Sequence, residues 1–215
     1  MKARQDEITP GSPVVLVHGL WMPSAAMALL AHRLKARQFA PQVFDYRGRA
    51  PFGENVAALA RYLRALGRPV YLVAHSLGGV LVLTALQEHP DLEIFRAVFL
   101  GSPVLGSISG RKLAGCAAGR WLLGESAPCW LERRSICWPA AAPLGVVAGA
   151  APWGLGRLLG ALPEPNDGVV CLKETAVEGM TDCVTVRMNH SGMLIAPGVA
   201  RQVIAFLARG RFEAG

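Results

Sequence analysis

The chain has 215 residues, 52% of them hydrophobic and 17% charged. That length suggests one domain, large enough to bury a core without a disulfide or metal staple, and the balance excludes a disordered chain. The formal charge is +7, from 22 basic against 15 acidic residues, but the arginines are scattered without a long basic run or an aromatic–basic stacking pattern, so nucleic-acid binding is not expected.

Cys116, Cys129, Cys137, Cys171 and Cys183 are odd in number and contain no C-x-x-C pair. Free buried thiols are therefore expected rather than a metal site or a disulfide framework. Residues 1–7 lack the apolar core of a secretory signal, and a cytoplasmic location is the expectation. The apolar stretch 139–151 is broken by Pro and Gly and too short to span a bilayer, so no stable membrane insertion is expected.

In chain order, residues 14–17 form a short apolar run ending at His18-Gly19 and predict a buried strand. Ser24 reads as the N-cap of a helix reaching about Arg37, and residues 42–45 as a second strand. Residues 55–66 predict a helix stopped by Gly67 and Pro69. A strand at 70–73, a helix at 77–88 and a strand at 97–100 follow. Residues 103–143 interrupt the alternation and read as a small excursion over the site. Strands at 144–148 and 184–186 and a closing helix at 197–209, with Pro in its first turn, complete the series. Apolar strands alternating with helices imply a mostly parallel sheet of about six strands, with helices on both faces. Active sites in such sheets lie beyond the carboxyl ends of the strands, where His18, Ser76 and Ser102 fall.

The segment Ala74-His75-Ser76-Leu77-Gly78 lies between the third strand and its helix. It has the small-x-Ser-x-small pattern of a nucleophile elbow, with Ala74 where Gly is commoner. The alternative is a buried strand that merely ends in a Ser-Gly turn. A serine needs a base, and the base an orienting carboxylate. Downstream, Asp167 lies in the turn Asn166-Asp167-Gly168, and His190 follows the last strand, giving the order Ser, Asp, His. Glu164, Glu174 and Asp182 are rival acids.

Four segments together resemble the α/β-hydrolases, and more narrowly the compact bacterial lipases and esterases. These are Ala-His-Ser-Leu-Gly-Gly, Asn-Asp-Gly-Val-Val, Asn189-His190, and the segment from Gly101 to Ser107. The resemblance covers residues of about 12 to 209. It implies a minimal α/β-hydrolase fold over residues 1–215 and a serine hydrolase acting through Ser76, Asp167 and His190. It also implies an oxyanion hole from the backbone N–H groups of Leu20 and Leu77. His18 is expected to buttress the oxyanion loop, His32 and His89 to lie on the surface. Trp21, His75 and Trp153 are the expected substrate contacts, although His75 should point away from the nucleophile. Trp121, Trp130, Trp138 and Trp153 either line a pocket or close the core under the excursion. The calcium-binding aspartates of the larger lipases are not evident around His190, so neither calcium nor any other cofactor is expected. The substrate implied is a carboxylic ester, short- to medium-chain or lipid-like. A thioesterase, an amidase or a non-catalytic ligand-binding hydrolase fold are the alternatives, since specificity resides in the pocket rather than the triad. Oligomeric state is not legible.

Overall fold

A computed structural model describes residues 10–132, 137–154 and 162–214. The N-terminal segment read for a secretory signal and residues 133–136 of the excursion lie outside the described residues. Six strands form one sheet: β1 (Ser12–Val17), β2 (Phe39–Phe44), β3 (Val70–His75), β4 (Ile94–Leu100), β5 (Leu144–Gly149) and β6 (Asp182–Val186). The order is β2-β1-β3-β4-β5-β6, and every neighbouring pair is parallel.

Side chains along each strand alternate between two apolar layers, as the two-residue period of a strand requires. Val15, Val17, Leu72, Ala74 and Phe99 face one core, which is closed by α2 (Phe52–Ala65) and α3 (Leu77–Glu88). Val14, Leu16, Val73, Val98 and Leu100 face the other, closed by α1 (Ala28–Lys35), α6 (Gly192–Ile195) and α7 (Pro197–Arg209). Between β4 and β5 the excursion carries α4 (Ile108–Ala114) and α5 (Ala117–Leu123), then a 3-10 turn at Ala127–Cys129.

The chain leaves β1 toward β2 on one side and returns to β3 on the other. The sheet order therefore reverses between β1 and β3, and the crevice beyond their carboxyl ends is the natural site for a ligand. The loop His18-Gly19-Leu20 and Ser76 both emerge there.

Several boundaries differ from the expectation. Ser24 opens a 3-10 turn, Ser24–Met27, with no side-chain cap bond, and α1 follows it. Asn55 lies inside α2 rather than at its start, with its amide donating to the Arg47 carbonyl at 2.9 Å. The cysteines are also not a buried set: Cys171 is buried, whereas Cys116, Cys129, Cys137 and Cys183 are exposed. Nothing in their spacing separates core from surface placement.

Candidate active site

β3 is buried along its whole length and delivers the chain into a sharp turn. Ser76 has φ 54° and ψ −125°, a left-handed conformation that costs a non-glycine residue of order 1–3 kcal/mol. α3 begins at the next residue, so the Leu77 amide is one of the helix donors without an intrahelical acceptor. The turn is possible because α3 lies hard against the end of β1. A Cβ at Gly78 would stand 2.4 Å from the Val17 carbonyl oxygen and 2.6 Å from that of His18. Gly78 is thus fixed by backbone contact, independently of any chemistry at Ser76.

His190 lies beyond β6 and Asp167 in the turn that follows β5. They meet through His190 Nδ1 and Asp167 Oδ2, 2.7 Å apart. Asp167 is 1% exposed, and its other oxygen accepts the Val169 and Val170 amides at 2.9 and 2.7 Å. Asn166 shapes the same turn by accepting the Gly168 amide at 2.9 Å. The His190 amide donates to the Asp167 carbonyl at 2.9 Å. Gly101, at φ +53°, gives this pair room: a Cβ there would lie 2.9 Å from Asp167 Oδ2 and 3.2 Å from His190 Nδ1. Of the rival acids, Glu164 is exposed, and the other two are engaged elsewhere. Glu174 accepts the Ile108 and Cys171 amides, and Asp182 accepts those of Cys183 and Phe212. Burial, partly countered by those two backbone hydrogen bonds, raises the Glu174 pKa.

His18 is buried in the loop after β1. Its Nδ1 donates to the Gly19 carbonyl at 2.9 Å, and its ring stacks on Tyr46 at 4.5 Å. The Tyr46 hydroxyl donates to the His18 carbonyl at 2.9 Å, and burial drives the Tyr46 pKa upward. The loop is therefore held rigidly before Leu20. Trp21, in a left-handed conformation at φ 59°, donates its indole N–H to the Leu122 carbonyl at 2.8 Å.

Ser76, His190, Leu20, Trp21 and Leu77 all line one cleft of about 290 Å³. Met22, Leu113, Leu123, Trp130, Val169 and Val170 supply its apolar walls. Leu113, Leu123 and Trp130 come from the excursion. That segment is tied down by the Ser109 hydroxyl, which donates to the Val169 carbonyl at 2.6 Å, and by Glu174 at the Ile108 amide. Apolar spacing in short helices marks no cavity, so Leu113 and Leu123 had no signal in the sequence.

Two expected contacts lie elsewhere. His75 is fully buried, because β3 turns it inward behind the turn, and it does not line the cleft. Its Nε2–H donates to the His190 carbonyl at 3.0 Å. Trp153 is 64% exposed and, among the described residues, is not part of the cleft wall. Of the other tryptophans, Trp130 lines the cleft, Trp138 closes the core edge-on to Phe99, and Trp121 is exposed beneath Arg49. No helix among the described residues is long and apolar enough to cross a membrane.

Solved structures share this architecture. Mature lipase BlEst2 of Bacillus licheniformis is 22% identical with a TM-score of 0.74, over 94% of this chain and 92% of that one. A monoacylglycerol lipase of Paleococcus ferrophilus is 20% identical, TM-score 0.59, over 92% and 96%. An esterase of Exiguobacterium antarcticum is 14% identical, TM-score 0.62, over 93% of each chain. At such identities the likeness is one of fold. No protein of curated function matches the sequence. The sequence pattern of the alpha/beta hydrolase family matches residues 14–206, which include every strand core and all three residues of the Ser, Asp, His order; the chain belongs to that family.

Proposed function

We propose that this protein hydrolyses carboxylic esters of short- to medium-chain acyl groups through an acyl-enzyme. The reading is carried by the Asp167–His190 pair at 2.7 Å, which opens on the same apolar cleft as the strained Ser76. Ser76 Oγ attacks the ester carbonyl while His190 Nε2 takes its proton. Asp167 fixes His190 with Nδ1 protonated, leaving Nε2 as the base, and stabilises the imidazolium that forms. The Leu20 and Leu77 amides receive the oxyanion; removing one such donor typically costs about 3 kcal/mol in the transition state. His190 then protonates the departing alcohol. Water, deprotonated by His190, attacks the acyl carbon and releases the acid, restoring Ser76.

Met22, Leu113, Leu123, Trp130, Val169 and Val170 make the cleft walls apolar, which suits an acyl chain. Trp21 borders the cleft next to Leu20 and is the expected contact for the ester.

A p-nitrophenyl ester series on the wild type and Ser76→Ala tests the reading. Activity that is greatest for short and medium chains and absent in the variant is expected. Equal hydrolysis by both proteins, or a sharp maximum on long-chain emulsions, overturns it.

A further inference from the structure

His75 is not among the residues that line the cleft, yet its side chain hydrogen-bonds the residue proposed as the base. The His190 carbonyl oxygen only accepts, so His75 Nε2 carries the proton of that 3.0 Å bond. The other nitrogen, Nδ1, is buried and has no hydrogen-bond partner among the described residues. Burial, together with the charge of nearby His190, pushes the His75 pKa down to about 3, so the ring is neutral. A ring there only to fill space would be better replaced by an apolar side chain, since an unpaired buried nitrogen costs free energy. The bond from Nε2 is what the imidazole contributes.

That bond acts on a specific problem. Ser76 is fixed by the end of β3, whereas His190 sits on a loop after the outermost strand, β6. The His190 main chain is gripped twice: its N–H by the Asp167 carbonyl at 2.9 Å and its C=O by His75 at 3.0 Å. The two imidazole rings lie 4.6 Å apart. His75 immediately precedes Ser76, so one strand end carries both the attacking oxygen and the hook for the base.

The geometry points to His75 as a positioning residue that sets the Ser76–His190 separation by holding the His190 main chain. The inference rests on the proposed roles of Ser76 and His190. A misplacement of about 1 Å between reacting groups costs about 100-fold in rate, so the effect belongs in kcat.

The test compares His75→Gln, whose amide nitrogen reaches the position of Nε2, with His75→Asn, whose amide is too short. Steady-state hydrolysis of p-nitrophenyl butyrate is measured beside Ser76→Ala and His190→Ala, with thermal unfolding of each protein. His75→Asn is expected to lose about 10- to 100-fold in kcat with KM within about 3-fold. His75→Gln should keep kcat within about 5-fold of wild type. The inference is overturned if the two variants lose kcat alike, if His75→Asn keeps wild-type kcat, or if losses follow Tm or KM instead. Should His75→Asn not fold, a large kcat loss in folded His75→Gln overturns it by itself. If Ser76→Ala and His190→Ala remain active, the hydrolase reading fails first; if they are inactive and both His75 variants are normal, only the positioning role fails.

Discussion

The Trp21 indole N–H donates to the Leu122 carbonyl at 2.8 Å, joining residues 101 positions apart. It ties the residue after Leu20 to the end of α5, so the loop after β1 and the excursion form one unit. Trp21→Phe keeps an aromatic side chain and removes the donor. A single neutral hydrogen bond contributes about 0.5–1.5 kcal/mol, so kcat/KM on a butyrate ester should fall about 2- to 10-fold. Trp21 is half exposed, and Tm should move by only a few degrees at most.

Asp167→Asn leaves a side chain of the same shape between the Val169 and Val170 amides and His190. It favours the wrong imidazole tautomer, and kcat should fall about 10⁴-fold with the fold intact. Circular dichroism together with steady-state kinetics checks both halves of that expectation.

Gly78→Ala is expected to damage folding rather than chemistry. The added methyl would meet backbone oxygens of Val17 and His18, which no rotamer change can move aside. A loss of about 3 kcal/mol or more in urea unfolding is expected, near the upper end for overpacking.

The buried His75 makes stability depend on pH in a definite direction. Its folded pKa, about 3, lies below the ordinary histidine value of 6.5. Between those values the unfolded chain binds the extra proton, so stability rises with pH and is lost as pH falls from about 6.5 toward 3. One such proton gives a slope of at most about 1.4 kcal/mol per pH unit. His75→Gln lacks this proton, and the difference between its unfolding free energy and that of wild type should change across that window and level off above it.

Leu113→Phe adds bulk to the cleft wall supplied by α4. The preferred acyl chain should shorten by about one carbon, since Phe exceeds Leu by about one methylene in volume, with butyrate hydrolysis little changed. A p-nitrophenyl series from acetate to decanoate measures the shift.

The legible part of the chain was where local signals and tertiary structure agree. α3 spans Leu77–Glu88 and α7 spans Pro197–Arg209, as read from apolar runs and an N-terminal proline. β2 starts at Phe39, three residues before the expected point, and runs through Pro41. An edge strand tolerates that proline, and β2 is at the edge. At the site, the elbow pattern constrains residue type and order, and of the residues it singles out the structure pairs Asp167 with His190 and sets His190 and Ser76 on one cleft. His75 and Trp153 were misplaced because burial behind a strained turn, and exposure in a loop, are decided by tertiary structure that no local pattern encodes. The cleft walls from α4 and α5 were hidden for the same reason.

The strand order also sets when such a site comes into being. Ser76 belongs to the first half of the chain, whereas Asp167 and His190 are held by β5 and β6, which complete one side of the sheet. A folding intermediate containing only β1 to β4 would carry a serine with neither base nor acid. On the proposed mechanism, a newly synthesised or refolding chain is therefore chemically silent until its last strands dock. Regained esterase activity would then report completion of the whole sheet, not formation of its first half.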